Sequence, residues 1–430
     1  MNIYKLSEMT QEQKQFILKR AETDISANME LAKEVSEDIR KRGDEAVLEY
    51  TAKFDRVSLQ KDSIKVTPQE IEEGYARLDR EIRDSIQYAA NNIRDFHAKQ
   101  LPEEMWFTEV DKGLLVGEKT TPIVDVCLYV PRGKGSFPSV MLMLGVPAVV
   151  AGVEKIVVVT PPNEQGNVDD AILAAAKIIG ITEIYKVGGI QAVAAAAFGT
   201  ETIPKCHKII GPGNSYATAA KRVLANYIDA GLPAGPSEAI ILADEYADPE
   251  KVALDWMIEA EHGPDSASLL VTNSMELVEK VVPIVERQLA KLSDKRRDFV
   301  TTVLSTYGGA IVTDSLEESI AFVNEYAPEH MEVMTEKPFE VLPKIKNAGE
   351  ILLGDYTPVT LCNFVLGPNA ILPTGAFAKT YSSVSVFDFL KRSSVGYASK
   401  EGFERVRKHA YNIATVEGFD THGLAVKERK

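Results

Sequence analysis

Glu259 and His262 stand three residues apart in "WMIEAEHGPDSASLLVT", Trp256 to Thr272, just before Gly263 and Pro264 end the helix-forming run. Residues at that spacing share a helical face, so one turn can offer a carboxylate oxygen and an imidazole nitrogen to one metal ion. An ordinary solvated helix end is the commoner source of such a pair. A second acid and imidazole occur in "NEYAPEHME", where Pro328 stops the preceding helix and leaves Glu329 and His330 side by side at the edge of a strand. Neighbours on a strand point different ways, and histidine titrates near neutrality, so the pair could divide acid and base work. On spacing alone, a helix-terminating turn with two solvated polar residues is the first reading of it. The third cluster, "TVEGFDTHG", holds Glu417 and His422. Of six histidines in the chain, these three fall in Glu-and-His clusters at turns, which adds weight to the metal reading, although spacing does not show that the clusters meet in space.

Two glycine turns could hold an anion or a cofactor. "IIGPGNSYATAAKR" puts Gly211 and Gly213 between a strand and a helix, where backbone N–H groups can approach an anion. Tyr216 stands where a dinucleotide fingerprint has its third glycine, so the turn is not a standard Rossmann motif. "KVGGIQAVAAAAFG" is a similar turn at the carboxyl end of a strand, where open α/β sheets bind ligands. Sharp strand-to-helix turns favour glycine in any case.

The elements that must position these residues alternate in texture. Up to about residue 100 the chain is charged and helical in period, as in "KEVSEDIRKRGDEAVLEYTAKF". From about 125, β-branched runs such as "VDVCLYV", "KIVVVTPP" and "HKIIGPGN" alternate with Ala-rich helical ones, the rhythm of repeated β-α-β units. A second such series runs from "SEAIILAD" through "SASLLVT", "GGAIVTD" and "MEVMT" to "EILLGD". Two α/β layers in one chain imply a cleft between them. Past Ser385 the pattern returns to helix in "VSVFDFLKRSS" and "FERVRKHAYNIATVEG", a tail or swapped arm.

Composition bounds the function. The 430 residues, 45% hydrophobic and 26% charged, suffice for more than one buried core. A net charge of -15 argues against nucleic-acid or anionic-membrane partners. Cys127, Cys206 and Cys362 are widely spaced, give no thiolate metal motif and read as core residues in a reducing compartment. The N-terminal "MNIYKLSEMTQEQ" does not read as a signal peptide. The uncharged run Gly135 to Val153 reads as a buried helix rather than a membrane span.

In this order, "YVPRGKGSFPSVMLM", "VGGIQAVAAAAFGTETIPK", "IIGPGN", "AGPSE", "EAEHGPDS", "YAPEHME", "GPNAILPTG", "SVSVFDFLKRSSV" and "EGFDTH" resemble the histidinol dehydrogenase family. The resemblance implies a cytoplasmic, zinc-dependent, NAD-linked enzyme that oxidises L-histidinol through the aldehyde to L-histidine, the last step of histidine biosynthesis. It implies two doubly wound, Rossmann-like α/β modules with a helical N-terminal segment (1–22) and a C-terminal arm (385–430). Residues 23–125 with 238–384 would form one α/β domain, and 126–237 the second, carrying NAD. By the same resemblance Glu329 and His330 are catalytic. His330 takes the alcohol proton, and Glu329 activates the water that attacks the aldehyde. Tyr129, Gln191 and Asn214 contact NAD. Ser237, Glu259, His262, His330, Asn363, Glu417 and His422 contact substrate, and Glu259, His262, Asn363 and His422 hold one zinc per subunit. The protein would be a homodimer whose arm, with Glu417 and His422, completes the partner's site.

Three positions depart from the family pattern. Glu259 stands for a glutamine, Asn363 for the aspartate of a Gly-Asp-Tyr triplet, and Ala370 for a histidine. The first two exchange amide and carboxylate, so the formal charge around the metal is unchanged and oxygen donors remain. The third removes a polar group and opens the reading of a relative that oxidises a different small polar alcohol. A non-catalytic metal- or ligand-binding protein is the alternative of another class.

Overall fold

In a computed structural model, which describes residues 1–20, 26–132 and 135–429, the chain builds three sheets. In chain order the strands are β1 (Ile3–Lys5), β2 (Met105–Asp111), β3 (Leu114–Pro122), β4 (Asp125–Tyr129), β5 (Lys155–Thr160), β6 (Ile184–Lys186), β7 (Ile209–Ile210), β8 (Glu238–Ala243), β9 (Ala267–Thr272), β10 (Gly309–Val312), β11 (His330–Met334), β12 (Glu350–Leu353) and β13 (Leu390–Ala398).

The smaller parallel sheet runs β6-β5-β4-β7. Along β4 the residues alternate between two cores, as the two-residue period of a strand requires. Val126 and Leu128 face the helices Pro68–Arg77, Arg80–Ala98, Pro138–Val150 and Asp170–Ile179, whereas Cys127 and Tyr129 face Ser26–Arg42, Asp44–Tyr50, Gly189–Phe198 and Ser215–Val223. The larger parallel sheet runs β1-β10-β9-β8-β11-β12. Ile241 and Leu270 face the helices Pro249–Trp256 and Met275–Leu289, while Ile240 and Val333 face Leu316–Tyr326. Both sheets are therefore doubly wound, covered on both faces.

Packing differs from the expected grouping in three places. The helices within residues 26–98 cover the smaller sheet, not the larger one, because their apolar stripes pack onto the helices between β4 and β8. The N-terminal segment is not all helix, since β1 forms an edge of the larger sheet and Ile17 of the helix Gln11–Lys19 is buried beneath it. The arm is not all helix either: "LKRSSVGYA" is β13, paired antiparallel with β3, which also pairs with β2. Only the helices Lys400–Val416 and Asp420–Lys427 follow it.

All three cysteines are buried and free, and Met141 to Ala148 are buried within the helix Pro138–Val150. Among the described residues no helix is long and apolar enough to cross a membrane.

Candidate active site

A cleft of about 2150 Å³ separates the two parallel sheets. On one side it meets the carboxyl edge of the smaller sheet at the switch point, where β5 and β6 lie to one side of β4 and β7 to the other. Tyr129 ends β4, and the turn Gly211 to Asn214 follows β7. The turn must lie close to β4: a Cβ on Gly211, whose φ is +132°, would fall 2.2 Å from the Tyr129 carbonyl oxygen. Asn214 caps the helix Ser215–Val223 by accepting from the N–H groups of Tyr216 (3.1 Å) and Ala217 (3.0 Å). Gly189 N–H donates to the Tyr129 hydroxyl over 2.9 Å. Two residues on, Gln191 is fully buried and donates its amide to Asp55 Oδ2 over 3.0 Å, leaving Gln191 Oε1 without a hydrogen-bond partner. Tyr129, Gln191 and Asn214 thus line one wall, a cradle of glycines with an orphaned amide oxygen, which suits a dinucleotide.

The opposite wall, which Ser237, Glu238 and His262 line, uses the other end of its sheet, with Glu329, His330, Glu350 and Glu259 buried behind it. Ser237 and Glu238 precede and begin β8, Glu329 and His330 precede and begin β11, and Glu350 begins β12. The reactive candidates therefore stand at the amino edge of the larger sheet. Three local features hold the Glu329–His330 segment there. Ala327 takes the left-handed conformation (φ 55°) beyond the helix Leu316–Tyr326, the Gly349 N–H donates to Pro328 O, and Glu350 N–H donates to Glu329 O over 3.0 Å. Gly349 is required by close approach, since a Cβ there would lie 2.6 Å from Glu329 O.

His330 and Glu350 are register partners on adjacent parallel strands, so their side chains share a face. Glu350 Oε1 and His330 Nδ1 make a short hydrogen bond. His330 Nε2 lies 3.9 Å from Glu329 Oε1. Glu329 Oε2 accepts from the Glu238 N–H over 2.9 Å, and the Glu238 carboxylate pairs with Arg20 Nε at 3.1 Å and accepts from Gly375 N–H at 2.6 Å.

Glu259 and His262 belong to a 3-10 turn that packs over this same face, where residues three apart eclipse. Glu259 is fully buried. Its Oε1 accepts from the Asn363 amide at 3.1 Å; its Oε2 lies 3.1 Å from His262 Nδ1 but out of hydrogen-bond alignment. Ser237 Oγ is 3.0 Å from the same His262 nitrogen. Glu259, His262 and Asn363 therefore meet as two oxygen-bearing side chains and an imidazole, donors that zinc accepts, with one carboxylate oxygen lacking a hydrogen-bond partner.

The expected fourth member is elsewhere. Glu417 and His422 are exposed on the arm, where His422 stacks near Phe419 with ring centroids 5.1 Å apart, and neither lines the cleft of its own chain. Among the described residues no three His, Cys, Asp or Glu side chains converge as a metal group. Ala370 packs near Leu352, Val359 and Cys362 rather than lining the cleft.

The charges interact strongly. Burial pushes the Glu329 carboxyl up to about 8, opposed by His330 and reinforced by Glu259 and Glu238. Burial acts to lower His330, but the negative field of Glu259, Glu350 and Glu329 outweighs it and raises the imidazole to about 10. Burial also lifts Glu238 to about 7, despite Arg20. For Glu259, burial is overcome by His262 and His330, with Asn363 and Ser237, so its carboxyl is held below the ordinary value.

Arg20, Glu238 and Glu350 had no role in the sequence reading. The available signal was a carboxylate at the first position of the apolar runs "EAIILA" and "EILL", where a buried strand has no local reason for one.

The histidinol dehydrogenase family model matches residues 18–430. The chain belongs to the histidinol dehydrogenase family. Among similar proteins, histidinol dehydrogenase of Synechocystis sp. is 49% identical over 428 residues, covering 100% of this chain and 99% of its own. The histidinol dehydrogenase homolog of Colwellia psychrerythraea is 46% identical over 427 residues, 99% of this chain and 96% of its own. The crystal structure of histidinol dehydrogenase from Elizabethkingia anophelis superposes with a TM-score of 0.93 at 37% identity, covering 99% of this chain and 97% of that one. The histidinol dehydrogenase family consists of NAD-linked oxidoreductases that catalyse the last step of histidine biosynthesis and in general bind zinc.

Proposed function

We propose that this chain oxidises L-histidinol through L-histidinaldehyde to L-histidine with NAD and one zinc per subunit. The observation that carries the reading is that Glu329–His330 and Glu259–His262–Asn363 meet around Ser237 and Glu238, which with His262 line one wall of a cleft whose other wall holds Tyr129, Gln191 and Asn214. When bound, zinc would polarise the substrate oxygen and NAD would accept hydride. Glu259, His262 and Asn363 hold the metal; Tyr129, Gln191 and Asn214 hold the dinucleotide; Ser237 orients the substrate.

His330 takes the alcohol proton in each oxidation. Its imidazole must be neutral to do so, and the carboxylates around it oppose that. A dication held by Glu259, His262 and Asn363 would offset the negative field of Glu259 and so favour the neutral imidazole at His330. Glu329 abstracts a proton from the water that adds to the aldehyde, and burial keeps its basicity above that of a solvated carboxylate.

We further assign the protein to homodimers in which Glu417 and His422 of the arm complete the site of the partner. Their exposure, and that of Trp106, Phe107, Tyr397, Val416 and Phe419 on the same lobe, supports an unfilled contact surface.

The test is NADH formation from L-histidinol by the zinc-loaded protein at alkaline pH, followed to completion. NADH at twice the histidinol consumed is expected. The departures at Glu259 and Asn363 favour a second reading, in which the same machinery oxidises a different small polar alcohol; the departure at Ala370 lies away from the cleft and adds nothing to it. No turnover with zinc and NAD both bound would reject L-histidinol, and NADH formation from another small polar alcohol would then select that reading.

A further inference from the structure

Glu350 lies outside the residues to which the proposed dehydrogenase reading gives a role, yet it makes the closest contact to the proposed base. We propose that Glu350 is the positioning residue for His330: its carboxylate accepts the Nδ1 proton and so turns Nε2 toward Glu329 and the reacting alcohol. This rests on the reading of His330 as the base.

Four observations support the assignment. The contact is set by sheet register, since His330 and Glu350 are paired residues of β11 and β12. It is buried, His330 being 3% and Glu350 9% exposed. Backbone locks β12 in place at that point, through Glu350 N–H to Glu329 O at 3.0 Å and the close packing of Gly349. Finally, the two ring nitrogens have different surroundings, Nδ1 bonded to Glu350 and Nε2 facing Glu329 at 3.9 Å.

The physical consequence follows from imidazole chemistry. A ring whose Nδ1–H is held by a carboxylate presents its Nε2 lone pair as the basic atom and cannot rotate about Cβ–Cγ without breaking the bond. Proton transfer then moves one proton from the alcohol oxygen to Nε2, while the Nδ1–H stays directed at Glu350. A purely structural ion pair would leave the chemical step unaffected.

The experiment uses full-length, zinc-loaded protein labelled with ¹⁵N-histidine, in wild type, Glu350→Ala and Glu350→Gln. In wild type a slowly exchanging, downfield Nδ1 proton is expected, assigned by its loss in His330→Asn. Glu350→Ala should abolish that signal and lower kcat roughly ten- to a hundredfold with KM for NAD unchanged. Glu350→Gln, which keeps an acceptor oxygen, should restore part of both. Absence of the proton in wild type, or an unchanged kcat in a folded Glu350→Ala protein, would overturn the assignment. Should the protein prove inactive on L-histidinol, the function reading fails while the Nδ1 signal still decides the role of Glu350. If Glu350→Ala does not fold, wild type and Glu350→Gln carry the same decision.

Discussion

Arg20 and Glu238 form a buried ion pair, Nε to Oε2 at 3.1 Å, that ties the end of the first helix to the first strand of the catalytic wall. The same guanidinium donates to Tyr326 O over 2.5 Å and stacks 3.7 Å from the centre of the Tyr326 ring. It thereby caps the helix that leads into Glu329 and His330. Replacing Arg20 by Met leaves Glu238 buried without its cation, a change that costs on the order of 3 to 5 kcal/mol. Denaturant unfolding should show that loss, and adding Glu238→Gln should reduce it. Equal losses in the single and double variants would show that Arg20 contributes through packing alone.

His330→Asn should lower turnover by roughly 10² to 10⁴ and leave zinc content unchanged. His262→Asn should instead lose the metal. Metal analysis of both purified variants beside initial rates separates the two roles, and equal zinc loss would merge them.

Asp255 and Glu332 form a buried acid pair beneath the site. Burial raises Asp255 to about 6, partly offset by the hydrogen bond with Glu332. Burial, and then Asp255, lift Glu332 well above the ordinary range. Both acids bind protons more tightly folded than unfolded. Their contribution is thus fully present below the unfolded carboxyl range and is lost as pH rises through about 6 and beyond. Stability should fall between pH 5 and pH 8, by on the order of 1 to 2 kcal/mol from Asp255 alone, with Glu332 adding to the fall. Glu332→Gln can still accept from the Val359 N–H, which now reaches Glu332 Oε1 at 2.6 Å, and should flatten that fall. Urea midpoints at the two pH values for both proteins check it; parallel slopes would refute it.

A site completed by the partner's arm predicts complementation. His330→Asn and His422→Asn proteins should each be inactive alone. Mixed dimers place an intact His330 and an intact His422 at one of their two sites, so co-refolded protein should regain activity. No recovery from demonstrably mixed dimers would mean that the arm serves its own chain or none.

Gln191→Ala should weaken NAD without disturbing zinc, because it removes the orphaned amide oxygen on the cofactor wall and leaves the other wall intact. Titration of NAD by calorimetry should show the loss, with the metal content of the same samples unchanged.

What could be read from the sequence depended on how local its physical cause was. The strands around Val126 and Ile240 announce themselves because both faces of a parallel sheet are buried, giving short apolar runs closed by glycine turns. The place of Glu329 and His330 at a strand start was legible because Pro328 ends a helix just before them, whereas nothing local to the pair announced a chemical role. β13 was not, since its residues are mostly exposed and carry no buried period. The helices of 26–98 are amphipathic, and an apolar stripe does not say which sheet it will cover. The bonds from Glu350 to His330 and from Arg20 to Glu238 arise from strand register and chain return. Sequence spacing holds no record of either.

The proposed reacting groups stand at the starts of β8, β11 and β12, whose ladders fix them relative to one another, while the space before them is closed by connecting segments such as those holding Phe364, Phe377 and Tyr381. Insertions or exchanges in those segments can reshape the volume offered to a ligand without moving a strand start. Descendants of such a chain can therefore drift toward new alcohols while inheriting the oxidation chemistry intact.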